Sequence, residues 1–471
     1  MEHLIRRLEK VICDELRSER SVATLPVYAD LKHQLDLSLP DHGTDAAVLD
    51  DMLATYLALN PDVSRPDFCK QLYSGRNDEA LLGDWVSAFG NTTMHSFKVG
   101  PVATLMETAI IDRINELLGF HHGDGVMVSG GSQANLVAML LARHHRLPNA
   151  KTEGVGAHRL TAFVSDQSHY SMQRAANTLG IGTNQLISVA SDEHGCMDPR
   201  ALREAVEHSI ERGETPFMVG LTAGTTVVGA FDPIPECAEI ARDFNLWLHM
   251  DAAWGGPVMF AESHRHLIKG VELLDSFSWD AHKLLNVTLT AAAIQVRQKG
   301  MLRAAISGGG DDYLFHDDEH ASMNLGELSL QCGRRADALK VWLSWRAVGT
   351  DGFANKVERL QTIKSALVDM IKADPDFKLI GPSDYLNVLF QYIPPSNLTE
   401  AELRELHRAI CKTLVATGGP FIEYARFKAK TGIRMIIANV HADEAFMRNL
   451  LAQIRLTGQA LAAEWGLRSP R

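Results

Sequence analysis

PFMVGLTAGTTVVGAFDPIPECAEIARDFNLWLHMD, residues 216–251, decides the fold. Its first run, PFMVGLT (216–222), is mostly apolar without alternation, so both faces of that strand are expected to be buried. A turn rich in Gly and Thr follows. From Asp232 onward, Ile234, Cys237, Ala238 and Ala241 fall on one face at helical spacing. LWLHMD (246–251) then returns as a second apolar run. Strand, helix and strand in this order form the unit from which parallel sheets are built.

The same alternation extends both ways. Further runs are VMVS (126–129), TAFVS (161–165), QLISVA (185–190), DSFSW (275–279) and TAAAIQV (290–296). In the segment from Ser168, Met172, Ala175, Ala176 and Leu179 share a helix face. The fold class is therefore α/β: a large domain with a mainly parallel, seven-stranded sheet. Ligands on such sheets bind beyond the carboxyl ends of the strands. After about residue 345 the pattern changes. A helical stretch runs from Gly352 towards Lys372, followed by strand candidates LNVLFQYI (386–393) and IRMIIA (433–438). The helix between them opens with Thr399 and Glu402 at capping-box spacing, and a last helix fills 442–464. This is a small α+β C-terminal domain. At the other end, Leu4, Leu8, Ile12 and Leu16, with Ile5 and Val11, form one apolar helix face. That face needs a partner, for which a second subunit is the expectation. Residues 20–75 read as mixed helix and loop, broken at Pro26, Pro40, Pro61 and Pro66. The domains so drawn are 1–75, a helical segment expected to contact a dimer partner; 76–350, the large ligand-binding domain; and 351–471, the small C-terminal domain.

Composition narrows the classes. The chain has 471 residues, 46% hydrophobic and 22% charged, which excludes a disordered or fibrous protein. Its net charge of −12 gives no general reason to seek nucleic acid or an anionic membrane. Cys13, Cys69, Cys196, Cys237, Cys332 and Cys411 are scattered, with no metal-site spacing and no disulfide framework. They read as reduced thiols. The first residues are charged throughout and lack the apolar stretch of a signal peptide. No run approaches about 18 apolar residues, so no membrane span is expected. The expected compartment is the cytoplasm.

The chemistry sits at the strand ends. SGGSQAN (129–135) follows a strand and opens a helix. Gly130 and Gly131 permit close backbone approach, and the helix-start amides with the Ser132 hydroxyl make an anion site. Gly130-x-Ser132-x-Ala134 also resembles a nucleophile elbow, which leaves a serine hydrolase using Ser132 as a rival. His169 follows the run TAFVS in DQSHYS (166–171). Thr222, Gly224, Thr225 and Thr226 bring small groups and hydroxyls to another strand end. Asp251 ends an apolar strand, where a carboxylate is costly unless paired. Lys283 in SWDAHK (278–283) follows a strand too, and a desolvated amine there suits Schiff-base chemistry. A phosphate cradle, a plane for stacking, a carboxylate for a pyridinium nitrogen and a lysine for an aldehyde are what pyridoxal 5'-phosphate requires.

With those motifs in hand, the chain resembles the fold-type I pyridoxal-phosphate enzymes, and within them the group II amino-acid decarboxylases of the glutamate and cysteine-sulfinate type. The matching stretches are QSHYSMQRAANTLGIGT, TAGTTVVGAFDPI, HMDAAWGG, SWDAHKLL and LQCGRRADALKVWL (330–343), and the resemblance spans roughly residues 60–460. It implies the fold-type I transferase fold, a homodimer and a pyridoxal-phosphate cofactor. It implies Lys283 as the lysine bonded to the cofactor aldehyde, His169 stacked on the ring, Asp251 paired with the ring nitrogen and Ala253 on the other ring face. Gly131, Ser132 and His282 would hold the phosphate, with Thr222 near a ring substituent. Gln71 in QLYSG and Arg434 in IRMII match residues that bind the substrate carboxylate in relatives acting on acidic substrates. The expected reaction is decarboxylation of aspartate, glutamate or cysteine sulfinate. A weaker resemblance to diaminobutyrate decarboxylases, through DYL at Asp312–Leu314, makes a diamino acid the alternative.

The chain departs from these relatives in two places. Their mobile loop carries a proton-donating tyrosine, whereas FHDDEHASMNLGELS (315–329) is about two residues shorter and has none. His316 and His320 are the candidate substitutes, His320 preferred. His95 in TTMHSF stands where the acidic-substrate relatives carry an aromatic ring.

Overall fold

The computed structural model describes residues 1–17, 21–22, 28–308 and 313–465. Pro26, and Asp312 of the Asp312–Leu314 match, lie outside the described residues. The chain divides into two compact units: Met1–Gly75 with Ser365–Ile380 and Leu389–Arg471, and Arg76–Lys364 with Gly381–Val388.

The larger unit contains a seven-stranded sheet. Its strands are β1 (Asp124–Val128), β2 (Leu160–Ser165), β3 (Leu186–Val189), β4 (Thr215–Thr222), β5 (Trp247–Asp251), β6 (Ser276–Asp280) and β7 (Ala292–Val296), in the order β1-β7-β6-β5-β4-β2-β3. Each coincides with one of the seven apolar runs. β3, β2, β4, β5 and β6 are parallel neighbours. β7 runs antiparallel to both β6 and β1. β2, β5, β6 and β7 are buried at every position, as unbroken apolar runs require.

Register sets the site. Thr222 of β4 pairs with Asp251 of β5, and Asp251 pairs with Ser278 of β6, so three polar side chains reach the carboxyl edge side by side. The helix Gly131–Arg146 packs on this sheet, burying Ala134, Val137, Ala138, Met139, Leu141 and Ala142. Phe163, Phe217 and Phe277 are fully buried in the same unit. Each contributes about 1.5–3 kcal/mol relative to an exposed ring. Two helices escaped the sequence reading, Asp78–Gly90 and Pro101–Leu118. The helical stretch expected from Gly352 begins earlier: it is part of the helix Ala338–Ala373, interrupted at Gly349, whose φ of +69° no β-branched residue would readily adopt.

The smaller unit holds strands β8 (Phe377–Leu379), β9 (Asn387–Tyr392), β10 (Glu423–Phe427) and β11 (Lys430–Ile436), in the sheet order β10-β11-β9-β8. The helix Glu400–Ala416 starts with a complete Thr399–Glu402 capping box. The N-terminal helix Glu2–Leu16 contacts the helix Ala46–Leu59, with Arg7 and Asp50 2.7 Å apart. Leu4, Ile5, Leu8 and Leu16 remain exposed within the chain.

Candidate active site

The site grows from the carboxyl edge of the larger unit's sheet. Gly130 enters the helix Gly131–Arg146 with φ +147°, open to glycine at little cost. Gly131 must also lack a side chain: a Cβ there would stand 2.9 Å from the Ala253 Cβ and 3.1 Å from both Asp280 carboxylate oxygens. The helix start, with Ser132 exposed beside it, is a cradle for an anion. One turn into that helix lies Asn135, fully buried.

Asn135 is the hub of the site. Its Nδ2 donates to Asp251 Oδ2 at 2.6 Å and to Ser171 Oγ at 2.9 Å. Its Oδ1 lies 3.0 Å from His249 Nε2 and accepts from Ser278 Oγ at 3.3 Å. On the far side, Ser276 Oγ accepts from Trp247 Nε1 and lies 2.9 Å from His249 Nδ1. Only one set of proton positions satisfies all of these groups. Ser276 donates to His249 Nδ1, His249 donates from Nε2 to Asn135, and Asn135 donates to Asp251. Burial pushes the His249 pKa down to about 4, which keeps the ring neutral, against the pull of Asp251. Asp251 Oδ1 also accepts from the Ala253 amide at 3.1 Å, so both carboxylate oxygens are held.

The second arm fixes His169. Ser171 Oγ, accepting from Asn135, lies 2.8 Å from His169 Nδ1, and the Ser171 amide points at the same nitrogen from 3.3 Å. His169 Nδ1 is therefore an acceptor and its proton sits on Nε2. Burial lowers the His169 pKa below its ordinary value. Asp251 and Asp280 pull the other way, while Lys283 and Arg174 add to the lowering. The ring thus lies within electrostatic reach of Asp251, Lys283 and Asp280 together.

Lys283 Nζ and His282 Nε2 each lie 3.5 Å from Asp280 Oδ2. Burial depresses the His282 pKa, and its Nδ1 rests against the Ala291 backbone. At the end of β4, the Thr222 amide donates to Asp232 at 2.8 Å, and Asp232 also accepts from the Met197 amide. Burial raises the Asp232 pKa to about 7.

The structure thus brings Gly131, Ser132, His169, Thr222, Asp251, Ala253, His282 and Lys283 to one edge of one unit. Asn135, Ser171, His249 and Asp280 were missed as partners. Period two in the runs WLHMD and SFSWD would have placed His249 with Asp251, and Asp280 with Ser276 and Ser278, on one strand face. Ser132 does not fit the hydrolase alternative: among the described residues no histidine hydrogen-bonds its hydroxyl, and a serine nucleophile needs such a base.

The remaining candidates have other partners. Residues 315–329 pack on 93–98: Phe97 donates its amide to Asn324 Oδ1, Gly326 donates to the His95 carbonyl, and Lys98 pairs with Asp318. The His320 ring lies 4.9 Å from that of Phe97, with Nε2 3.4 Å from Glu319. None of these contacts reaches Lys283 or Asp251. His316 is exposed. In the smaller unit, Arg434 on β11 donates from Nη2 to the Lys70 carbonyl at 2.6 Å, next to Gln71, which is exposed. Lys70 pairs with Glu423, which faces Arg434 across the β10–β11 register.

The donor set suits pyridoxal phosphate. A cradle that a Cβ would fill, a carboxylate held at both oxygens, a ring with one defined tautomer and a part-buried lysine are all present. Among the described residues no cluster could hold a metal ion, and no helix is long and apolar enough to cross a membrane. All six cysteines are free.

Comparison with known proteins agrees. The pyridoxal-dependent decarboxylase conserved domain matches residues 29–393. Mouse cysteine sulfinic acid decarboxylase is 34% identical over 443 residues, covering 92% of this chain and 90% of the relative. Human acidic amino acid decarboxylase GADL1 is 35% identical over 440 residues, covering 91% and 84%. The crystal structure of mouse CSAD superposes with a TM-score of 0.93 at 32% identity, covering 97% of this chain and 98% of that one.

Proposed function

The chain belongs to the pyridoxal-dependent decarboxylase family, and from that premise we propose that it removes the α-carboxyl group of a small acidic amino acid: aspartate, glutamate or cysteine sulfinate. The observation that carries the reading is the buried Asp251, locked by Asn135 and the Ala253 amide, with His169 within electrostatic reach of both Asp251 and Lys283. Pyridoxal phosphate, when bound, supplies an electron-poor ring that accepts the electrons left when carbon dioxide departs.

This chain's residues do the rest. Gly131, Ser132 and His282 would hold the phosphate and Lys283 the aldehyde end. His169 and Ala253 would pack against the ring, with Thr222 near a ring substituent. Asp251 would keep the ring nitrogen protonated, as a neighbouring opposite charge does. His320, whose partners in this structure are Phe97 and Glu319, is the residue that would have to move to the site to deliver the proton that completes the amine.

Substrate choice rests on Arg434 and Gln71. A guanidinium fork suits a carboxylate or sulfinate, and the bond to the Lys70 carbonyl ties Arg434 to the segment bearing Gln71. Incubating the protein with each acidic amino acid, and separately with diamino acids, and identifying the amine formed tests the reading. Arg434→Met should raise KM for acidic substrates while cofactor binding stays unchanged. Preferential turnover of a diamino acid would overturn it.

The working form is a homodimer. Leu4, Ile5 and Leu8 are exposed on one unit, and Leu82, Trp85 and Phe89 on the other, too many large apolar side chains for a monomer's surface. Light scattering should give twice the chain mass, and Trp85→Glu with Phe89→Glu should reduce it.

A further inference from the structure

Asp280 has no place in the reading above. It is the last residue of β6 and is buried to 2% exposure. Among the described residues its Oδ1 has no hydrogen-bond partner. Both oxygens face Gly131, 3.1 Å from where a Cβ would stand, so a carboxylate lies against the helix start that forms the anion cradle. The groups around it are few. Lys283 and His282 lie 3.5 Å from Oδ2 on its own turn. His169 after β2 is within its electrostatic reach, as it is of Asp251's, and Lys340 bears on His282. Lys340 is fully buried and already bonded to Asp337 and the Thr288 and Thr290 carbonyls. The helix start brings no charged side chain. Among the described residues Lys283 is thus the one lysine or arginine paired with Asp280, and it is the residue that must leave that pairing to bond an aldehyde.

We propose that Asp280 is a built-in counter-anion at the cofactor's phosphate cradle, which occupies the helix start and Lys283 when the cofactor is away and weakens the hold on its phosphate when it is present. The inference rests on the cradle reading of Gly131 and Ser132. Its physical basis is that a helix N-terminus and one ammonium stabilise one anion well and two adjacent anions poorly. A phosphate monoester carries nearly two negative charges at neutral pH. The consequence is a cofactor that exchanges with solution more readily than the rest of the site would allow.

The test measures dissociation constants of pyridoxal phosphate, unphosphorylated pyridoxal and inorganic phosphate for the full-length protein and for Asp280→Asn, with Asp280→Ala beside it. Asparagine keeps the shape and removes the charge. The expected result is that both variants bind pyridoxal phosphate and inorganic phosphate at least tenfold more tightly, well within the roughly thousandfold effect of one like charge about 4 Å away at an effective dielectric near 20. Pyridoxal, lacking phosphate, should tighten less, by the share that the release of Lys283 alone contributes. If the native protein binds no pyridoxal phosphate, the cofactor reading itself fails. If it binds, but the variants bind equally or more weakly, the proposal is overturned. Equal tightening for pyridoxal and its phosphate would also overturn it, because the carboxylate would then act through Lys283 alone.

Discussion

Replacing Asn135 with leucine should damage the site more than any other change that touches neither substrate nor cofactor. Leucine has the branching of asparagine, is bulkier and offers no hydrogen bond. Asp251 Oδ2 loses its 2.6 Å donor, His249 Nε2 loses its 3.0 Å acceptor, and Ser171 Oγ loses the donor through which His169 is oriented. Each buried group left unpaired costs about 1–3 kcal/mol, and hydrogen bonds to charged groups lie towards the upper end. With recovery from the added apolar contacts, a net destabilisation of about 2–4 kcal/mol is expected. The effect on turnover is separable. The charge-assisted bond to Asp251 contributes about 1.5–3 kcal/mol. If half or more of that is lost as orientation, kcat falls about three- to a hundredfold, at about 1.4 kcal/mol per factor of ten. The assay is kcat and KM at saturating cofactor, with the cofactor dissociation constant and a thermal melt alongside. Ser278→Ala is the control, since it removes only a 3.3 Å bond to the same oxygen and should stay near wild type. A kcat for Asn135→Leu within twofold of wild type, with cofactor saturated, would refute the hub.

Lys283→Ala should abolish turnover and the visible absorbance of lysine-bound cofactor; normal turnover without added amine would sink the assignment. His249 is held at a pKa of about 4 against an ordinary 6.5, so the unfolded chain takes up a proton in a range where the folded one does not. Its contribution is therefore fully present above about pH 6.5 and is lost as pH falls through about 4, amounting to about 3 kcal/mol at most. Urea titrations across that window should show the slope, and His249→Gln should flatten it. His320→Phe should increase the aldehyde side product per decarboxylation and leave substrate binding little changed. An unchanged product ratio would remove His320 from the reaction.

The sequence was most legible where burial is complete. All seven strands of the large sheet appeared as mostly apolar runs, because strands buried on both faces, as β2, β5, β6 and β7 are, keep polar residues only where a partner satisfies them. Strand direction was not legible: TAAAIQV reads the same whichever way β7 runs, and only the short return from β6 makes it antiparallel. β8 and β10 were missed because EYARF alternates half-buried Glu423 and Ala425 with exposed Tyr424 and Arg426, so it carries no apolar run, and FKL is three residues long. The helices Asp78–Gly90 and Pro101–Leu118 were missed for the opposite reason. Leu82, Trp85 and Phe89 of one, and Val102 and Leu105 of the other, are exposed within the chain, in addition to the buried positions of each helix, so the apolar residues are not confined to one buried face.

The site was legible as ends and illegible as connections. Asp251 and Lys283 stood out because a charge at the end of an apolar strand is conspicuous. What joins them is a stripe of polar side chains through the middle of the sheet: Trp247, His249 and Asp251 on β5, and Ser276, Ser278 and Asp280 on β6. In a strand pattern these look like isolated tolerances, since a serine or a histidine among apolar residues is common. Their meaning lies in a contact across sequence, from one helical side chain more than a hundred positions away. Asn135 supplies a donor amide and an acceptor carbonyl at one point, so it can satisfy a carboxylate on one side and an imidazole on the other, which no single-function side chain can do. Unsatisfied, the stripe would cost several kcal/mol of burial; satisfied, it removes rotational freedom from Asp251 and His169 together. The same argument leaves Asp280 as the member of the stripe with an oxygen that Asn135 does not reach, and a buried carboxylate left over from such a network is best explained by the anion that the adjoining helix start is built to receive.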